Sequence, residues 1–357
     1  MTTRRIGVAD VRLATSAARG VDALELARCV TDAIELGITL VETSEEPEAE
    51  RLVGDAVRTQ RARDRVTVAT RVPPLAAVRD TLPDRLPVGY LQERVEASLR
   101  ATRLDVLPLV QLPLRPAWLA SRAWAELAGT CARLVREGKV LAWAAALDDA
   151  RVDADAKVPG PLVLPTPAAE DPHAWARGPD AAPAPIVPLV AGLAINALIA
   201  EPWLSALALP YSLCDRGAEP LIIAATKREL TVLARRPLAG GALAGSLGPG
   251  VKLRRDDDRR TMDLERVAVG VARLARFVKQ EPPAVRAGEA ARAAFDQAPR
   301  REPACSTLAE LALRYLLDHG AVPLVRLHRH EHLAGVIALV AAPPLDRDLI
   351  DALPRDI

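Results

Sequence analysis

Residues 38–71 read ITLVETSEEPEAERLVGDAVRTQRARDRVTVATR. A short β-branched run, Ile38 to Glu42, gives way to a longer polar stretch and then to a second such run, Val66 to Arg71. That order is the repeating unit of a parallel sheet. Working outward, strand-like runs recur at 11–15 (VRLAT), 106–112 (VLPLVQL), 140–147 (VLAWAAAL), 203–209 (WLSALAL), 231–235 (TVLAR) and 322–327 (VPLVRL). Between them Leu24, Ala27, Val30, Ala33 and Ile34, and again Leu91, Val95 and Leu99, recur at helical spacing, so each helix is expected to lay an apolar stripe on the sheet. Eight strands alternating with helices close most simply into a (β/α)8 TIM barrel, an α/β fold that takes roughly 200 to 400 residues as one domain. One domain over 1–357 is therefore expected. An open doubly wound sheet is the alternative, but the first strand-to-helix turn lacks a G-x-G-x-x-G.

Composition agrees with a large aliphatic core. Of 357 residues 50% are apolar, with only 2 Phe, 3 Tyr and 5 Trp, and 47 basic against 46 acidic side chains leave a net charge of +1. Those values exclude a disordered chain and give no basic surface for nucleic acid. The start, MTTRRIGVADVRLATS, has no continuous apolar run, and the stretch Ile186 to Ile199 carries Pro188, Gly192 and Asn196 and is too short to span a bilayer. The expectation is a cytoplasmic protein with no membrane partner. Cys29, Cys131, Cys214 and Cys305 are widely spaced, without metal-ligand spacing, and read as buried thiols.

Two segments break the alternation. Residues 150–185, rich in Pro and Ala, follow the fifth strand, and 246–262, SLGPGVKLRRDDDRRTM, follow the seventh. In a barrel such insertions overhang the C-terminal face, so both are read either as lids or as surface loops.

The chain resembles the aldo-keto reductase family on seven stretches in the right order: GITLVETSEEPEAERLVGDAV (37–57), VTVATRV (66–72), LDVLPLVQLPLRP (104–116), REGKVLAWAAAL (136–147), LALPYSLCDRGAEPLI (207–222), VLARRPLAGGALAG (232–245) and LAELALRYLLDHG with VPLVRLHRHEHL (308–333). The resemblance implies the barrel, and an NADPH-dependent carbonyl reduction that uses a Tyr proton donor, a Lys, an Asp and a His. In this sequence the Asp position is Glu42, the Lys position Arg71, the His position Pro113, and the Tyr position falls near Pro47. Proline offers no proton and arginine is not deprotonated in proteins, so neither replaces the residue it stands for. The carboxamide ligands read Ala146, Leu147 and Ala208, and the ring-stacking aromatic reads Arg235. What remains of the cofactor set is the loop Arg235, Arg236, Pro237, Leu238, Ala239, Gly240 and Gly241, able to cradle a diphosphate, with Arg326, His328 and Arg329 where the family grips the 2′-phosphate. No cofactor is therefore required, while NADP(H) binding through its phosphates stays open.

At the expected mouth, Glu42 and Arg71 form either a general base held by a guanidinium or a structural ion pair. Asp148 and Asp149 are polar mouth candidates or caps of a short helix. Gln111 points inward, toward a ligand or a backbone group, and Tyr211 is a candidate for stacking or proton donation. The acidic run Glu45, Glu46, Glu48 and Glu50 reads as a solvated helix start rather than a metal site. His328 and His332 share a helical face without a further ligand, so no metal is expected. Three functions follow: a repurposed non-redox enzyme (cyclisation, dehydration or isomerisation) acting on a small molecule at the C-terminal barrel face; a non-catalytic binding or scaffold protein, with a protein partner; or a residual NADP-dependent oxidoreductase with an unusual proton donor.

Overall fold

The computed structural model describes residues 5–13, 21–147, 151–152, 162–163, 197–253, 264–286, 288–298, 303, 305–326 and 332–354. Eight parallel strands, β1 (Gly7–Val11), β2 (Leu40–Thr43), β3 (Thr67–Arg71), β4 (Leu109–Pro113), β5 (Trp143–Ala146), β6 (Leu204–Pro210), β7 (Thr231–Arg235) and β8 (Ala321–Val325), close into a barrel. β1 completes the ring, with Gly7 in register with Leu324 of β8 and Val8 with Val41 of β2. Around it run α1 (Ala23–Glu35), α2 (Pro47–Thr59), α3 (Val88–Thr102), α4 (Trp124–Arg136), α5 (Glu219–Lys227), α6 (Leu264–Leu274), α7 (Glu289–Gln297), α8 (Leu308–Asp318) and α9 (Leu333–Ala341). This is the (β/α)8 barrel expected from the alternation. Of the first insertion, only an antiparallel ribbon, Arg151–Val152 with Leu162–Val163, is described. Of the second, 246–253 are described and 254–262 lie outside the described residues. Among the described residues no helix is long and apolar enough to cross a membrane.

The strands' two-residue period sorts their side chains into two layers. Leu40, Ala69, Leu109, Ala144, Ala146, Ala206, Ala208, Leu233, Val322 and Leu324 form the cluster that fills the barrel. Their neighbours Val41 and Val68, and Val110, Ala145, Leu207 and Val232, face the helices.

Two local readings need correction. The first strand is Gly7–Val11, not 11–15. A Cβ on Gly7 would lie 2.4 Å from Leu40 Cδ2 and 2.8 Å from Leu324 Cδ2, so these side-chain ends occupy the space a larger residue would need. The buried stripe of α1 is Leu26, Cys29, Val30, Ala33 and Ile34, while Leu24 is 62% exposed. Asp22 caps this helix by accepting from Glu25 N at 2.8 Å, and the cap fixes the helical phase that turns Leu24 outward.

The α2–α3 contact is close. A Cβ on Gly54 would fall 2.0 Å from the carbonyl oxygen of Thr102, a backbone atom that cannot swing aside. In the same contact Glu50, expected to be solvated, is fully buried; its Oε1 accepts from Ser98 Oγ at 2.6 Å and Arg94 Nη2 at 3.3 Å. Burial outweighs these partners and raises the Glu50 carboxyl above the usual carboxylate range. All four cysteines are free and buried; burial pushes Cys29 and Cys305 up to about 11 and Cys214 to about 12, and raises Cys131 as well.

Gly54→Ala should cost about 3 kcal/mol by forcing α2 from α3, although alanine favours a helix. Gly129→Ala, in α4 with nothing within 4 Å of the added Cβ, should stabilise by about 0.5–1 kcal/mol. Denaturant titration of both variants checks the pair. A carboxyl that binds its proton more tightly when folded contributes stability fully below its unfolded value of about 4.3 and loses it as pH rises through the raised folded value. Glu50→Gln should flatten that decline, as read from the denaturation midpoint across acidic to neutral pH.

Candidate functional site

The C-terminal ends of β2, β3 and β4 bring together one buried polar group. Glu42 Oε1 accepts from Arg71 Nη2 at 2.8 Å and from Gln111 Nε2 at 2.6 Å, with Glu42 only 2% exposed. Register explains the meeting. Glu42 is paired with Ala69, two residues before Arg71 and so on the same face, and Arg71 is paired with Gln111. Only the amide nitrogen of Gln111 can donate to a carboxylate, which fixes its orientation and leaves Gln111 Oε1 buried without a hydrogen-bond partner. Pro113, read from the sequence as the His position, is half-buried and paired with Ala146. The third polar member of the mouth is therefore Gln111, two residues earlier on the same face.

Beside this group lies a cavity of about 990 Å³. It runs from Ala9, Glu42 and Leu324 at the mouth, under the loop 235–246, to the start of α8 and the inner side of α9. Arg235, Arg236, Leu238, Gly240 and Arg326, all named from the sequence, are on its wall. The loop is tightly curled, with Arg236, Ala239 and Gly240 at φ of 55°, 51° and 67°. Its amides are largely spent inside it: Ala239 N bonds Arg236 O at 2.9 Å, Gly241 N bonds Leu238 O at 2.9 Å and Ala242 N bonds Ala239 O at 3.2 Å. Of the backbone amides and guanidinium groups expected to cradle a diphosphate, an anion here would meet the guanidinium groups more than free amides.

Sequence reasoning missed the wall supplied by Gln280 to Pro283 and by Thr307 to Glu310. The signal for the second was a capping box: Thr307 Oγ1 accepts from Glu310 N at 3.1 Å, and Glu310 Oε2 accepts from Ser306 N at 2.8 Å. It marks a helix start, but nothing local says which way that start faces. The acids on the wall have cationic neighbours: Glu42 has Arg71, Glu281 has Arg292 at 3.6 Å, and Glu310 has Arg314 at 3.2 Å.

Tyrosines stand elsewhere. Tyr211 is buried in the helix layer, its hydroxyl 3.3 Å from Glu219 Oε1, and Tyr315 donates to the same oxygen at 2.6 Å. Burial raises both phenols, Tyr315 to about 12. Tyr90, the remaining one, donates to Pro73 O at 2.8 Å. None of the three lines the cavity. Asp148, Asp149, His328 and Arg329 lie outside the described residues. Among the described residues no three His, Cys, Asp or Glu side chains group as a metal site. Within the acidic run, Glu45 and Glu46 hold the residues just after β1, with Glu45 bonding Arg12 at 2.9 and 3.1 Å and Glu46 accepting from Leu13 N at 2.9 Å.

The residues present fit one half of the implied NADP(H) and not the other. Three arginines on one wall suit phosphates. Ala146, Leu147 and Ala208, at 1%, 0% and 0% exposure, offer a carboxamide no side-chain partner.

Comparison with known proteins accords with this architecture. In structure the chain is similar to the holo form of an aldo-keto reductase from Bacillus halodurans (TM-score 0.60, 16% identity, 99% of this chain and 92% of that one). It is also similar to a glycerol dehydrogenase from Gluconobacter oxydans (0.60, 16%, 93% and 86%) and to an aldo-keto reductase from Klebsiella pneumoniae in complex with NADPH (0.52, 22%, 98% and 89%). No curated protein matches it by sequence. The model of the aldo/keto reductase family matches residues 10–157 and 198–354, most of the chain, so the protein belongs to the aldo/keto reductase family.

Proposed function

We propose that this family member no longer reduces carbonyls and instead carries out a non-redox step, a cyclisation, dehydration or isomerisation, on a small molecule in the mouth cavity. The observation that carries the reading is Glu42: it is on the cavity wall, its Oε1 is fixed by Arg71 and Gln111, and no tyrosine shares that wall. Two donors on one oxygen hold the carboxyl group in one rotamer, which is the positioning a general base needs. In such a step Glu42 takes a proton from the ligand and returns it to another atom, or loses it with departing water. Arg71 offsets the charge of the resting carboxylate. The structural neighbour in complex with NADPH supports binding of a phosphorylated nucleotide on the arginine wall, where its phosphates would be held by Arg235, Arg236 and Arg326. No hydride step is assigned to it.

The Ala and Leu side chains that fill the barrel favour a second reading, a binding protein that keeps the barrel without chemistry. In that reading the Glu42–Arg71 pair is structural, and a protein partner rather than a small molecule takes the mouth.

With NADPH and 4-nitrobenzaldehyde we expect no carbonyl-dependent oxidation of the nucleotide; turnover near 1 per second or faster would restore the reductase. Arg71→Lys should not create that activity, because a proton donor is still missing. Incubated with a small-molecule cell extract and followed by mass spectrometry, the native protein should consume or convert a compound, and Glu42→Gln, compared well below its melting temperature, should slow that conversion by about a hundredfold. If the pair is structural, Glu42→Gln leaves Arg71 without its counter-charge in a buried mouth and costs about 3 kcal/mol, while Glu42→Leu with Arg71→Met is close to neutral. Thermal melts of the three proteins separate the two roles.

A further inference from the structure

The cavity is lopsided with respect to the barrel, and the lopsidedness bears on what kind of ligand it takes. Its barrel-side wall comes from β1, β2, β7 and β8; none of its lining residues belongs to β3, β4, β5 or β6. A ligand in it lies along one half of the mouth and extends outward under the loop after β7. On the far half, Ala146 and Ala208 stand side by side in register, and Leu147 follows at zero exposure. That surface is closed and apolar. Arg235, the last residue of β7, is on the same cavity wall as Glu42, from which β1 and β8 separate it in the barrel. A guanidinium there repels the positive ring of an oxidised nicotinamide, whereas it attracts phosphate. Arg236 and Arg326 continue the same sign of charge outward along the wall.

We infer that the cavity is a site for the phosphate-bearing half of a nucleotide and excludes the nicotinamide half: an adenosine phosphate lies along Arg235, Arg236 and Arg326, and the nicotinamide of NADP(H) gains no contact at the mouth. This rests on the reading of the arginine wall as a nucleotide site. It goes further by naming the part of the molecule recognised. The selectivity is built into the fold, because it follows from which strands border the cavity and not from one replaceable side chain.

Calorimetric titration tests it on the full chain with four probes: NADP⁺, 2′-phospho-ADP-ribose, nicotinamide mononucleotide and inorganic pyrophosphate. NADP⁺ and 2′-phospho-ADP-ribose are expected to bind within about twofold of each other, pyrophosphate more weakly, and nicotinamide mononucleotide not measurably. Raising salt from about 0.1 M to about 1 M, which shortens the screening length from about 10 Å to about 3 Å, should weaken the first two by about tenfold or more. Arg236→Gln and Arg326→Gln should weaken both, and an affinity for either ligand that neither substitution changes would overturn the assignment of the phosphates to this wall. Affinity for NADP⁺ at least about tenfold above that for 2′-phospho-ADP-ribose would overturn the inference, as would absence of binding by both. The latter result would leave the non-redox reading of Glu42 standing. Carbonyl-dependent oxidation of NADPH would remove that reading separately.

Discussion

The structure depends on how tightly the barrel closes at β1. A parallel sheet cannot leave its first and last strands unpaired without exposing two rows of backbone donors and acceptors, so β1 must bond β2 on one side and β8 on the other. Gly7 of β1 leaves room for the side-chain ends of Leu40 and Leu324, which would have to shift to admit a Cβ. Those two leucines, with Leu109 and Leu233, supply the bulk inside the barrel, and alanines on β3, β5 and β6 supply the room they need. Large residues on some strands and small ones on others give a filled interior, since a hole in such a core costs about as much as the methyl groups missing from it.

The filled floor governs the chemistry above it. One layer up, Leu40, Ala69 and Leu109 are succeeded on the same strand faces by Glu42, Arg71 and Gln111. A carboxylate in that position is stable only with donors that compensate its lost water, and the next two strands supply Arg71 and Gln111. The trio is thus a consequence of strand register, each member two residues beyond an apolar partner in the layer below. Gln111 spends its amide on Glu42 and keeps an unbonded carbonyl oxygen. A buried acceptor of this kind is costly in a purely structural role.

Asymmetry is the other consequence. The loop after β7 curls back on itself through Arg236, Ala239 and Gly240, all in the left-handed region. Such a turn consumes its own amides and exposes the side chains of Arg235 and Arg236 to the cavity. On the opposite half, Ala146 at the end of β5 and its register partner Ala208 of β6 are buried. The family's barrel is kept while its mouth is divided into a charged, open side and an apolar, closed one.

From the sequence alone, the alternation of β-branched runs with helical stretches determined the eight strands and their closure, because residue period is a local property. The arginines of the 235–241 loop, Arg326 and Glu42 were legible too, since each sits at or just past a strand end and strand ends in this fold face one side. Phase was not. The capped start of α1 turned Leu24 outward, and the strand expected at 11–15 proved to be Gly7–Val11. Nor could spacing along one strand show that Gln111 rather than Pro113 meets Glu42, that Tyr211 turns into the helix layer toward Glu219, or that Glu50 is buried between α2 and α3. Each of these was decided by a neighbour far away in sequence: by the stagger between adjacent strands, by the helix packed on the other face, or by the backbone carbonyl of Thr102 lying where a side chain would have been.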